Sequence, residues 1–130
     1  FEAMAKFAKF GIGAGYEVLG SDDGKKAFQT PLATLHKWQG FADKFLATPA
    51  DGIVDTYIKA TTKIGKVGLT AFYHDFSADH GDRDLGSEID LVAAYKVNKH
   101  FYTVVKYANY SADDHASDTS KLWLMATLKF

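Results

Sequence analysis

Cysteine is absent from the 130 residues, which excludes disulfides and thiolate metal sites. Proline occurs only twice, so few positions are barred from regular backbone pairing. Charge of either sign is not in excess. The formal net charge is -1, which leaves no global field to attract nucleic acid. No apolar run approaches the roughly 18 residues of a membrane-spanning helix. That absence does not speak to a membrane-spanning strand, whose apolar residues occupy only every second position. The chain begins at Phe1 rather than Met, as expected of a mature or truncated piece.

Aromatics are plentiful, with ten Phe and seven Tyr, and apolar residues alternate with polar ones. In "FGIGAGYEV" one parity reads Phe10, Ile12, Ala14, Tyr16, Val18. In "VDTYIKATTKI" it reads Val54, Thr56, Ile58, Ala60, Thr62, Ile64. The same alternation runs through "VGLTAFY", "LGSEIDLVAAYKV", "FYTVVKY" and the final "KLWLMATLKF". None of the residues on this parity is charged. The other parity carries Glu17, Asp55, Lys59, Lys63, Glu88, Asp90, Lys106 and Lys121. Period-two patterning predicts antiparallel strands with one apolar face. Six strands are predicted, and Phe1 to Ala5 reads as the tail of a seventh.

Two further patterns point to a membrane sheet. Phe10, Tyr95, Phe101 and Phe130 fall at one end of their strands, and Tyr16, Tyr73 and Tyr107 at the other. Aromatic girdles of this kind mark the interfaces of a transmembrane sheet. The connections alternate between tight Lys-x-x-Lys turns ("KFAK", "KIGK", "KVNK") and long polar loops, as in outer-membrane barrels. The predicted fold is therefore all-β: an antiparallel transmembrane β-barrel, of which residues 1–130 form about the last six to seven strands, the C-terminal section of a single larger outer-membrane barrel. Leu122, Leu124, Ala126, Leu128 and Phe130 form an alternating C-terminal pattern of the type read by the barrel-assembly machinery.

The stretches "GYEVLGSDDGKKAFQTPLATLHKWQGFADKFLATPADGIVDTYI", "YHDFSAD" and "LWLMATLKF" resemble the C-terminal part of the alginate-export family of outer-membrane β-barrel porins. The resemblance implies an outer-membrane location and a channel for an anionic polysaccharide. The expected function is a channel for anionic saccharides or other small anions. Asp55, Lys59, Lys63, His74, Glu88, Asp90, Lys106 and Lys121 are its candidate lining. A structural barrel sheathing a partner protein and a soluble lipocalin-like binding module are the alternatives.

Within the long segment 20–52, Thr30 and Pro31 read as a helix start. Leu35, Trp38, Phe41 or Ala42, and Phe45 then follow at helical spacing, and Thr48-Pro49 stops the run. This short loop helix, with His36, Lys37 and Trp38, would narrow the pore if it folds inward, or lie among the outer loops if it does not. Expected partners are outer-membrane lipid, lipopolysaccharide, the assembly machinery and a saccharide or small solute, but not nucleic acid. No metal site is expected, because the His and Asp residues of "HDFSADHGDRD" and "DDHASD" match no calcium-loop spacing. No cofactor and no enzymatic activity are expected, since no nucleophile elbow or His-Glu-x-x-His occurs.

Overall fold

Alternating sequences become paired strands when each apolar residue meets an equivalent residue on its neighbour. In the computed structural model, which describes residues 1–31 and 39–130, seven strands do this in chain order. They are β1 (Glu2–Phe7), β2 (Phe10–Leu19), β5 (Ile53–Ile64), β6 (Val67–Ser77), β7 (Asp84–Lys96), β8 (Phe101–Ala112) and β9 (Thr119–Leu128). Two short strands, β3 (Ser21–Asp22) and β4 (Lys26–Ala27), pair as a separate ribbon within the long connection. The large sheet is an antiparallel meander of order β1-β2-β5-β6-β7-β8-β9. The three Lys-x-x-Lys segments make its tight turns at one end, and Gly65 supplies the left-handed backbone of the middle one with φ 58°.

The registers carry the alternation across the sheet. Ile58 pairs with Tyr73 and Tyr73 with Ile89, while Leu91 pairs with Tyr107 and Tyr107 with Leu122. All stand on the uncharged face. Lys59 pairs with Phe72, Phe72 with Asp90, and Asp90 with Ala108 on the other. Strand existence, register parity and the seventh strand thus agree with the sequence pattern.

Closure does not. β1 and β9 are the two edges of an open sheet and do not pair with each other. The expected closed transmembrane barrel is corrected to an open antiparallel sheet. The channel, the porin character and the outer-membrane location all rested on closure and are withdrawn with it. The physical reason is that alternation reports only that the two faces of a sheet differ. It does not report what covers either face, nor whether the edges meet.

The larger surprise is which face is covered. Leu91 and Ile58, on the uncharged face, keep 46% and 58% of their surface exposed, whereas Asp90 on the charged face is fully buried. The hydrophobic core lies on the charged face, toward the end of the sheet away from the lysine turns. Leu19, Ile53, Phe76, Leu85, Ala108 and Tyr110 from the strands meet Phe41, Ala42 and Phe45 from the long connection. The Phe45 ring stacks on His115 at 4.9 Å and packs against Phe76 at 4.7 Å. Burying a Phe side chain contributes about 1.5–3 kcal/mol, so this segment is held by its rings.

The described part of the connection is not helical. Gln39, Gly40 and Asp43 have φ of 49°, 78° and 58°, which no right-handed helix accommodates. The expected helix is therefore replaced over residues 39–48 by turns. His36, Lys37 and Trp38 lie outside the described residues. An open sheet has no pore to narrow; residues 39–48 pack instead on its charged face through Phe41, Ala42 and Phe45. Gln29 ties its far end through both halves of its amide: Nε2 donates to the Thr48 carbonyl at 2.8 Å, and Oε1 accepts from the Thr48 amide at 3.0 Å.

Candidate functional site: a charged cleft beneath residues 39–48

Six strands contribute polar groups: Glu2 from β1, Glu17 from β2, Asp55, Tyr57 and Lys59 from β5, His74 from β6, Glu88 and Asp90 from β7, and Lys106 from β8. Register places Glu17 opposite Asp55, Tyr57 opposite His74, and His74 opposite Glu88. Two-residue spacing then sets Asp55 beside Tyr57 and Lys59 along β5, and Glu88 beside Asp90 along β7. Small residues make space for the largest of these side chains. The Tyr57 ring lies over the bare Cα of Gly15, where a Cβ would collide with its hydroxyl-bearing end. A strand glycine commonly marks such a close approach.

The deepest part is a cluster of three buried carboxylates and one imidazole. His74 Nδ1 lies 2.8 Å from Asp55 Oδ1 and 3.1 Å from Oδ2. His74 Nε2 stands 3.7 Å from Asp90 Oδ2 and has no hydrogen-bond partner among the described residues. Glu88 Oε1 accepts from the amides of Phe41 at 2.5 Å and Ala42 at 2.6 Å, and the Phe41 amide also donates to Asp90 Oδ2 at 3.1 Å. The segment 39–48 is thus anchored by strand carboxylates gripping its backbone. Gly40 passes so close that a Cβ there would stand 2.5 Å from Glu88 Oε2.

Three neighbouring carboxylates cannot all remain ionised in a dry site. Burial pushes Asp90 up to about 9, and Glu88 beside it adds a hydrogen bond and like-charge repulsion in the same direction, against the lowering influence of the Phe41 amide. Asp90 is therefore neutral at pH 7. Tyr57 is raised above the ordinary phenol range, first by burial and then by its hydrogen bond to Glu2. Glu2 is lowered by that same bond, donated by the Tyr57 hydroxyl at 2.6 Å.

Above this cluster a cleft of about 320 Å³ opens between the strands and the segment. Its floor and walls hold Phe41, Tyr57 and Phe72, and its polar lining includes Glu17, Gln39, Asp55, Lys59, His74 and Lys106. Gln39 Nε2 donates to Glu17 at 2.9 Å. The Lys59 ammonium lies over the Phe72 ring at 5.2 Å and 3.6 Å from Glu2, while Lys106 lies over the Phe41 ring at 4.8 Å. Cation–π contacts of this kind position an ammonium group over a ring face.

Of the residues singled out from sequence, Asp55, Lys59, His74 and Lys106 converge on the cleft, with Glu88 and Asp90 directly beneath the segment that roofs it. Lys121 stands apart, paired with Asp43 at 3.1 Å. Lys63 is exposed near a tight turn and takes no part. Leu122, Leu124, Ala126 and Leu128 line the exposed face of edge strand β9, with Phe130 beyond its end. Sequence reasoning marked Phe72 only as an apolar exception on the charged parity and passed over Tyr57, Gln39 and Glu2. Tyr57 and Phe72 share the parity of the charged residues, and large rings on a polar parity are the signal that could have found them. Among the described residues no group of His, Asp and Glu is arranged to hold a metal ion.

No family model matches the chain, and neither does any curated protein or solved structure. With the sheet open and no family match, the resemblance to the alginate-export porins is overturned.

Proposed function

We propose that this chain is a non-enzymatic binding module that takes a small sugar acid in the cleft beneath residues 39–48. The observation that carries the reading is the composition of that one cleft. Two ammonium groups, Lys59 and Lys106, stand with the carboxylates of Glu2, Glu17 and Asp55 and the amide of Gln39 against three aromatic rings. A carboxylate on the ligand would meet the lysines, and hydroxyls would meet Glu17 and Gln39. The ring C–H face would lie on Phe72 and Tyr57. Sites for small molecules are commonly apolar clefts of about 300–1,000 Å³ with a few placed polar groups, and this one lies at the lower bound.

His74 and Asp55 have the spacing of a base and its orienting carboxylate, which raises an enzymatic alternative. The free edge of the imidazole is directed at Asp90, 3.7 Å away, rather than at a hydroxyl that could act as nucleophile. That arrangement supports binding over catalysis.

Calorimetric titration with glucuronate, glucose and acetate tests the proposal. Glucuronate is expected to bind more tightly than either of the others. Lys106→Met should weaken glucuronate by about tenfold, the equivalent of 1.4 kcal/mol, while leaving glucose unchanged. Phe72→Ala should weaken both sugars. Equal affinity for acetate and glucuronate, or no effect of either substitution, would remove the sugar-acid reading.

A further inference from the structure

Among the described residues nothing covers the uncharged face of the sheet, and the exposed surface can be set against expectation. A compact chain of 14.3 kDa exposes about 6,800 Å², whereas this one exposes 8238 Å², an excess of about 1,400 Å². Large apolar side chains on this face are well exposed: Ile58, Leu91, Leu122 and Leu124 are 58%, 46%, 63% and 75% exposed. Patches of this extent mark an interaction surface. A face of seven strands with this exposure suits an obligate homodimer, whose contacts are large and the most apolar.

We propose that this face is covered by a second copy of the chain, packed sheet on sheet with the strands of the two copies running in opposite directions. Charge selects that orientation. The sheet has a basic end, with Lys6, Lys9, Lys63, Lys66, Lys96 and Lys99 at the tight turns. Its other end is acidic, with Asp79, Asp82, Asp84, Asp113, Asp114 and Asp118 in or beside the loops. A two-fold axis lying in the interface, at right angles to the strands, sets each basic end over the partner's acidic end. The opposite orientation would stack like charges at both ends. The surface is also shaped for it. Ala60 and Ala71 are cross-strand partners, and with Ala93 they line the floor of a hollow of about 530 Å³ walled by Phe10, Leu69, Leu91, Val105 and Tyr107. Such a hollow receives large side chains from the facing sheet. Aligned packing of two twisted sheets at about −30° is the ordinary geometry of a sandwich. The proposal is independent of the cleft, which opens on the other face.

Light scattering during size-exclusion chromatography in detergent-free buffer tests it. The expected mass is twice that of the 14.3 kDa chain. Leu91→Arg should raise the dimer dissociation constant by at least about 30-fold, as truncating an interface centre does, with the far-ultraviolet circular dichroism of the sheet retained. Raising salt toward 1 M should weaken the wild-type dimer, because the end-to-end charge pairing is screened within about 3 Å. Orientation is read by mixing Lys66→Cys and Asp82→Cys preparations with a bismaleimide, since the protein has no other thiol. Mixed pairs should cross-link, and Lys66→Cys alone should not. A monomeric mass, a chain that requires detergent and runs as one copy per micelle, polydisperse aggregate, or cross-linking of Lys66→Cys with itself would each overturn the proposal.

Discussion

Glu88→Ala is expected to destabilise the fold by about 3 kcal/mol. Glu88 Oε1 is the acceptor for the amides of both Phe41 and Ala42, and all three residues are buried. Removing the carboxylate leaves the Ala42 amide without a partner and the Phe41 amide with only its 3.1 Å bond to Asp90, and an orphaned buried donor costs about 1–3 kcal/mol. Relief of the like-charge contact with Asp90 offsets part of this. Glu88→Gln keeps an acceptor oxygen in place and should cost about 1 kcal/mol. Urea unfolding gives both values, read as a shift in midpoint at constant slope. Equal, small losses for the two variants would mean that the carboxylate does not hold the segment.

The second large effect is with pH. Asp90 titrates near 9 in the fold and near 3.8 when unfolded. Between those values the native state holds a proton that the unfolded state has released. The contribution of the neutral Asp90 is therefore fully present below about pH 3.8, declines as pH rises, and is lost once the native group also ionises near 9. The slope for one proton is about 1.4 kcal/mol per pH unit. Wild-type stability should fall by up to that amount per unit between pH 7 and 9. Asp90→Asn imitates the neutral acid, with an oxygen for the Phe41 amide and an NH₂ beside Glu88, and should remove this component. A difference between wild type and variant that stays constant from pH 7 to 9 would show that Asp90 is ionised in the native protein.

Much of the fold was legible in the sequence because strands are local. Period-two alternation marked the six long strands, and the Lys-x-x-Lys segments marked the turns between them. Together they placed Asp55, His74, Glu88 and Asp90 on one face before any coordinate was known. What alternation could not convey is environment. Glu88 and Asp90 read as water-facing because a carboxylate is ordinarily solvated. They are buried because one carries a proton and the other is satisfied by backbone amides from residues nearly fifty positions away. That pairing has no local signature. The same is true of closure, since an open sheet and a barrel share one alternation and differ only in what β1 and β9 meet. The segment 39–48 failed for another reason. Phe41 and Phe45 have helical spacing, but Gln39, Gly40 and Asp43 take left-handed backbone, and the tertiary grip on Phe41 and Ala42 overrides the periodicity.

The cleft inherits this uneven legibility. Lys59 and Lys106 were visible as charges, but Phe72 and Tyr57 stood among them as apparent exceptions to polar patterning. In the fold Phe72 carries the Lys59 ammonium, and Tyr57 packs against Phe72.

Amide hydrogen exchange at Phe41 and Ala42, followed by NMR, tests most directly whether residues 39–48 close over the charged face. Both amides are buried and donate to Glu88, so they should exchange as slowly as the interior amides of β7 and accelerate together in Glu88→Ala. Exchange as fast as that of Gly81 in its exposed turn would contradict the covered charged face, and with it the cleft.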